Sequence, residues 1–279
     1  MRGRTGRTLR PPSRLDRRLT VDLTVFASGS TGNCCLIRHG GAGVLVDAGI
    51  SARRIRTALA EVGMTPAELT AILITHEHSD HIKGLCVFLK SAPVPVYAPE
   101  TVAAYLCRTV PGAFPLVRVI EPETPLREGP FEITAFPTPH DTPQSAGYRL
   151  SAEGSSIAVC TDTGCVTEVM RRHLRGADVA LIEANHDVEM LKTGPYPPYL
   201  KRRILSDRGH LSNDDCALLA SELSASGTRH IVLGHLSREN NAPAVARRAV
   251  SRALEGTGTA LSVAPEAGFL RVEAEPCCV

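Results

Sequence analysis

Apolar and polar positions alternate along this chain in short units. Thr20 to Phe26 switches between polar and apolar residues as a strand does, and runs into the flexible turn Ser28-Gly29-Ser30-Thr31-Gly32-Asn33. Cys34 to Arg38 and Val44 to Asp47 read as two further strands. Ala52 to Val62 has helical spacing, with Ile55, Leu59 and Val62 on one face. The run Ala71 to Thr75 predicts a buried strand. Beyond it Ile82, Leu85, Phe88 and Leu89 recur at helical spacing. The pattern goes on with strands at Val94–Tyr97, Phe131–Phe136, Ser156–Cys160, Val179–Ile182, His230–Leu233 and Gly268–Val272. Helices are expected over Val166–Leu174, Asn213–Leu223 and Ala244–Leu254. Small strands alternating with helices predict one α/β domain over residues 20–279, without internal repeats or a low-complexity linker.

Polar motifs end these strands. His76-Glu77-His78-Ser79-Asp80-His81 lies at the turn from the strand ending at Thr75 into a helix. His140, in Thr138-Pro139-His140-Asp141, follows an apolar strand, as do Asp162, in Cys160-Thr161-Asp162-Thr163-Gly164, and His235, in Leu233-Gly234-His235-Leu236-Ser237. Imidazoles and carboxylates suit zinc, manganese or iron, and strand ends on one sheet edge meet in space. Three histidines and an aspartate within six residues have no evident structural use. Taken singly, His140 or His235 reads more readily as a core or surface histidine than as a ligand. The expected centre holds two divalent ions (Zn²⁺, Mn²⁺ or Fe²⁺). A pair about 3.5 to 4 Å apart can bind a bridging hydroxide, the nucleophile of a hydrolase.

Composition narrows the setting. Formal net charge is +2, yet seven arginines and one aspartate fall in the first 18 residues, so the rest is mildly acidic. Residues 1–19 are expected to form a disordered Arg-rich extension, although such a segment can also touch phosphates. No apolar run approaches the roughly 20 residues of a membrane span. The nine cysteines include no CxxC pair, which fits a reducing compartment and a cytoplasmic protein, and any metal must use other ligands.

His76-Glu77-His78-Ser79-Asp80-His81, with His140, Asp162 and His235 downstream, resembles the motif set of the metallo-β-lactamase superfamily over residues 21 to about 272. The resemblance implies a four-layer αββα sandwich with the site along one edge. It puts His76, His78 and His140 on one metal, Asp80, His81 and His235 on the other, and Asp162 between them. Asp80 would also orient the nucleophile. Four further runs resemble the bacterial YycJ or WalJ type: Ala27–Asn33, Glu183–Leu191, Gly194–Asn213 and Gly234–Asn241. That type implies a nuclease acting on DNA, a 5′-to-3′ exonuclease linked to repair. The Arg-rich extension departs from the family pattern.

For a phosphodiester substrate the Ser28–Asn33 turn could offer Ser28, Ser30, Asn33 and backbone N–H groups to phosphate, or be only a turn of small residues. Glu183 and His210 resemble a pair that assists catalysis in tRNA 3′-processing enzymes, the glutamate orienting a histidine that donates a proton; a structural hydrogen bond is the other reading. Lys201, Arg202, Arg203 and Arg208, with Tyr196 and Tyr199 nearby, suit a single nucleic-acid strand or a solvated helix face. Asp47 is expected to support the ligands from outside, and His186 and Asp187 to line the site or pack a loop. The expected partner is nucleic acid, DNA before RNA, with no membrane; a homodimer is one option for assembly. An RNA-processing nuclease of the tRNA 3′ type is the alternative, although no tRNA-gripping arm is visible, followed by an ester or thioester hydrolase.

Overall fold

The computed structural model describes residues 20–274. The expected Arg-rich extension at 1–19 lies outside them. Strands β1 (Val21–Ala27), β2 (Cys34–His39), β3 (Ala42–Val46), β4 (Leu69–Leu73), β5 (Val96–Ala98) and β6 (Val117–Val119) pair in that order. A second sheet runs in order through β7 (Leu126–Glu128), β8 (Phe131–Pro137), β9 (Ala146–Ala152), β10 (Ser155–Cys160), β11 (Val179–Glu183), β12 (His230–Gly234) and β13 (Ala260–Val263). The chain then returns to the first sheet, where β14 (Leu270–Ala274) pairs with β1.

Both faces of each sheet are covered, so the strands are apolar on both sides. On β1, Val21, Leu23 and Val25 face the second sheet. So do Ala71 and Leu73 on β4, where they meet Leu150, Ile157 and Leu181 in the central layer. Ile72 and Ile74 face outward instead, under helices α1 (Ala52–Glu61), α2 (Ser79–Ile82), α3 (Leu85–Leu89) and α4 (Glu100–Thr109). On the far side Ala180, Ile182, Ile231 and Leu233 pack beneath α5 (Glu168–Leu174), α8 (Asn213–Ala225) and α9 (Pro243–Ala253). The short α6 (Val188–Thr193) and α7 (Pro198–Ile204) sit between α5 and α8 in the chain. This is an αββα sandwich.

Two differences from the pattern have physical reasons. The helix expected after the histidines is broken at Gly84 into α2 and α3, because Gly84 lies against Ile50; a Cβ there would be 1.9 Å from the Ile50 carbonyl oxygen. Strand β9 goes unread because Arg149 interrupts its apolar run. The structure buries that side chain's stem and spends its guanidinium on the carbonyls of His173, Arg175 and Gly176.

Strands β3 to β6 and β10 to β13 run parallel, so their carboxyl ends share one edge of the sandwich. Open α/β sheets place their ligands at such ends. Two bonds fasten the sheets together there: Tyr148 Oη donates to the Ile74 carbonyl at 2.6 Å, and Ala146 N to the Thr75 carbonyl at 3.1 Å.

Candidate metal centre

Asp47 follows β3, His76 follows β4, His140 follows β8, Asp162 follows β10, Glu183 ends β11, and His235 follows β12. Three of them, Asp47, Asp162 and His235, hold φ of 61°, 57° and 54°. The left-handed region is unfavourable for residues with a Cβ and costs on the order of 1–3 kcal/mol at such sites. The strain turns each side chain back over the strand end, toward the same point.

Four overlapping groups of ligand atoms result: His76, His78 and His140; Asp80, His81 and His235; His76, His81 and Asp162; and Asp162, Glu183, His210 and His235. All seven sequence-derived ligand candidates are therefore brought together, with Asp162 between the first two groups. His76 Nε2 and His78 Nδ1 are 3.0 Å apart. Asp80 Oδ2 is 3.5 Å from His81 Nε2 and 3.6 Å from His235 Nε2. Asp162 reaches His81 Nε2 at 3.4 Å through one oxygen and His140 Nε2 at 3.8 Å through the other.

A shell of hydrogen bonds fixes the ring orientations. Asp47 accepts from His81 Nδ1 at 2.7 Å and from the Thr75 backbone N–H at 2.9 Å, and the Thr75 hydroxyl is 3.0 Å from His76 Nδ1. His140 Nδ1 donates to the Gly209 carbonyl at 3.1 Å, and His235 Nδ1 to Glu183 at 3.0 Å. Each ring thus turns its other nitrogen inward, the arrangement that metal-bound histidines show. Gly49 permits the close packing behind Asp80, whose carbonyl accepts from Asn33 N at 2.7 Å. A Cβ on Gly49 would stand 1.6 Å from that carbonyl oxygen.

The donor set fits divalent metal. His140 Nε2, His235 Nε2 and Asp162 Oδ2 are buried without a hydrogen-bond partner. Each such atom costs about 1–3 kcal/mol unless something satisfies it, and all three converge on the same place. Among the described residues no cysteine joins the groups, so the donors are imidazole nitrogens and carboxylate oxygens. The electrostatics agree. Burial opposes charge on His81 and His235, but Asp47 and Asp162 hold His81 well above the usual imidazole range. His235 is pushed up to about 10 by the carboxylates around it, Asp162 first, then Asp80 3.6 Å from Nε2 and Glu183 at Nδ1. Burial and the neighbouring rings push His76 well below. Asp80 is lowered against its burial by His235 and His81. The site thus favours positive charge among its carboxylates, which a divalent cation supplies with release of ligand protons.

At the rim Glu183, fully buried, accepts from His210 Nδ1 at 2.8 Å through one oxygen. The other takes the backbone N–H of Thr163 at 2.8 Å and of Leu211 at 3.2 Å. A cleft of about 160 Å³ opens there, lined by Ser30, Asp141, Tyr196, Arg203, His210 and His235. Among the residues expected to meet phosphate, Ser30 is exposed in this cleft. Ser28 is buried and its hydroxyl accepts from His235 N at 2.8 Å. Asn33 closes its own turn on Gly29 and reaches Asp80 Oδ2 at 3.3 Å. Lys201 donates to the Lys192 carbonyl at 2.7 Å, and Arg203 is ion-paired with Asp141. Arg208 clasps the His140 loop, donating to the carbonyls of His140 at 2.7 Å and Thr142 at 2.6 Å. Asp187 caps α6, accepting from Met190 N at 2.9 Å, while His186 is buried with neither ring nitrogen partnered.

Asp141 carries more than its sequence context signals. One carboxylate oxygen is 3.2 Å from His140 Nε2 and 3.8 Å from His78 Nε2. Nothing in Thr138-Pro139-His140-Asp141 separates it from an ordinary loop aspartate; only the fold brings Arg203 to it.

The model of the "Beta-lactamase superfamily domain" matches residues 43–236. The chain belongs to the metallo-β-lactamase superfamily. Within it the chain is of the YycJ/WalJ type. It is 37% identical over 241 residues to the exodeoxyribonuclease YycJ of Bacillus anthracis, covering 85% of this chain and 90% of that one. It is 40% identical over 224 residues to the exodeoxyribonuclease WalJ of Streptococcus pneumoniae serotype 2, covering 78% and 82%. The crystal structure of the metallo-β-lactamase fold protein YhfI from Bacillus subtilis superposes with a TM-score of 0.70 at 18% identity, over 91% of this chain and 100% of that one. That likeness shows the shared superfamily fold. The chain is a hydrolase of this superfamily, and none of the helices among its described residues is long and apolar enough to cross a membrane.

Proposed function

We propose that this protein is a cytoplasmic, metal-dependent exodeoxyribonuclease that removes nucleotides from DNA in the 5′-to-3′ direction. The single observation that carries the reading is its likeness, over most of both chains, to two exodeoxyribonucleases. The site's chemistry agrees with it. His76, His78 and His140 would hold one divalent ion, Asp80, His81 and His235 a second, with Asp162 between them. When bound, such a pair polarises the scissile phosphate and lowers the pKa of water at neutral pH.

The chain's own residues supply the rest. Glu183 fixes His210 through Nδ1, which leaves Nε2 on the cleft side to give a proton to the departing sugar oxygen. Ser30 offers a hydroxyl to a non-bridging phosphate oxygen. Tyr196 gives the cleft an aromatic face for the terminal base. Asp80 has two roles, as ligand and as orienter of the attacking water.

A single DNA strand labelled at its 5′ end, incubated with purified protein and Mn²⁺, tests this. Release of the label as mononucleotide is the expected result. Intact DNA beside a cleaved tRNA precursor would assign the protein to RNA processing instead.

A further inference from the structure

Behind the Ser28–Asn33 turn lies a second cleft, of about 220 Å³, between the end of β1, the first half of α1 and the loop before β14. Phe26 and Ile50 form its apolar floor, and Arg53, Arg54 and Phe269 its rim. Phe269 stands edge-to-face on Phe26, ring centroids 5.6 Å apart at 73°, and is 46% exposed. An apolar ring held in place yet left nearly half open is of little use to folding. Arg53 and Arg54 are exposed, and among the described residues neither has a carboxylate within ion-pair distance. The first turn of α1 also contains no acidic residue, so the positive end of the helix dipole is not neutralised there.

Side-chain bonds link the loop at this cleft to the loops of the candidate metal centre. Glu266, close before Phe269, accepts from the Thr31 hydroxyl at 2.9 Å and is ion-paired with Arg238. Thr31 adjoins Ser30, and Arg238 lies three residues after His235, so Glu266 ties the loop that carries Phe269 to both loops of the first cleft. Its charge is taken by those partners. Glu61, at the other side of the cleft, is the carboxylate a polyanion would have to pass.

Resting on the nuclease reading above, we propose that this cleft is a second nucleic-acid subsite. It holds a nucleotide of the single strand away from the scissile bond, with a base stacked on Phe269 and the flanking phosphates against Arg53 and Arg54. Cationic grooves with an aromatic platform bind single strands without reading sequence. The Ser28–Asn33 turn, which gives Ser30 to the first cleft and is bonded through Thr31 to Glu266, is the ridge over which the strand would run.

The test uses the full chain loaded with Mn²⁺ and two substrates: bis(4-nitrophenyl) phosphate, too small to span both clefts, and a single-stranded DNA 20-mer. Phe269→Ala and the double variant Arg53→Ala/Arg54→Ala should hydrolyse the small diester at the wild-type rate, which also reports an intact fold. On the 20-mer, KM should rise about tenfold or more. The Arg variant should also flatten the dependence of log binding on log salt by roughly one to two. Phe269→Tyr, which keeps the aromatic face, should restore the wild-type KM. Wild-type KM on the 20-mer in both variants would overturn the subsite while leaving the nuclease reading intact. A change of oligomeric state in the variants in place of the KM effect would likewise overturn the subsite alone, whereas a wild-type enzyme that hydrolyses the small diester but no nucleic acid would overturn both.

Discussion

Arg203 is ion-paired with Asp141, and the other oxygen of that carboxylate faces His140 Nε2 at 3.2 Å. The densest basic run outside the N-terminal extension therefore serves, in this residue, to steady an acid beside the imidazoles of His140 and His78. Partners of this kind usually matter 10- to 100-fold in metal affinity or activity. Arg203→Ala should lower metal affinity by about tenfold or more, while the salt dependence of DNA binding stays near wild type. Metal titration and salt-dependent binding assays read the two effects separately. A reduced salt slope with unchanged metal affinity would return Arg203 to direct phosphate contact.

Metal should contribute to both activity and stability. Chelation is expected to abolish turnover, and Mn²⁺ or Zn²⁺ to restore it. Ligand at 100 times its Kd adds about 2.7 kcal/mol, roughly 5–10 °C in Tm for a domain of this size. His140→Ala and Asp80→Ala should each remove activity and lower the bound metal from two ions toward one, with the chain still folded. Full activity in either would refute the two-ion assignment.

His210 should matter to the chemical step and not to binding. His210→Ala is expected to reduce kcat by about 10²–10⁴ with KM little changed. Glu183→Gln keeps the shape but weakens the hold on both His210 and His235, so its loss should be at least as large and accompanied by weaker metal binding. Equal loss of kcat on substrates with good and poor leaving groups would argue against proton donation by His210.

Gly49→Ala tests the backing of the histidine run. The added methyl meets the Asp80 carbonyl at 1.6 Å, so the α2 turn must move. Overpacking of this sort costs about 1–3 kcal/mol, and here the displaced residue is one of the proposed ligands. A lowered melting temperature together with sub-stoichiometric metal is expected.

A pH effect should be visible away from the site. His230, at the start of β12, is half-buried, with Nε2 2.8 Å from the Ser262 hydroxyl, and burial pushes it below its ordinary value. The unfolded chain then binds the proton more readily than the folded one. Its contribution is present above pH about 6.5 and is lost as pH falls through the folded value. Urea midpoints at pH 5 and 7.5 should differ less in His230→Gln than in wild type.

The strand and helix periods, the strand-to-helix turn at His76–His81 and the distant His140, Asp162 and His235 are legible in the sequence because each is local: an apolar run followed by a polar residue suited to a metal. Periodicity also marks β4 as a buried strand and the chain as one α/β domain, while the layered architecture is implied by the resemblance of the motif set. Which side chains end up touching is not local. Ser28, Asn33 and Arg208 look like phosphate binders by type, yet the fold turns them to His235, Asp80 and the His140 loop. The pairings of Asp141 with Arg203 and of Phe269 with Phe26 join segments far apart in the chain. Their existence depends on how two twisted sheets and their connecting loops close on one another. The sequence by itself determined the chemistry the site offers, since ligand type is a property of single residues. Only the tertiary structure decided which polar groups remain free to meet a substrate, since that depends on which ones the packed chain has already used.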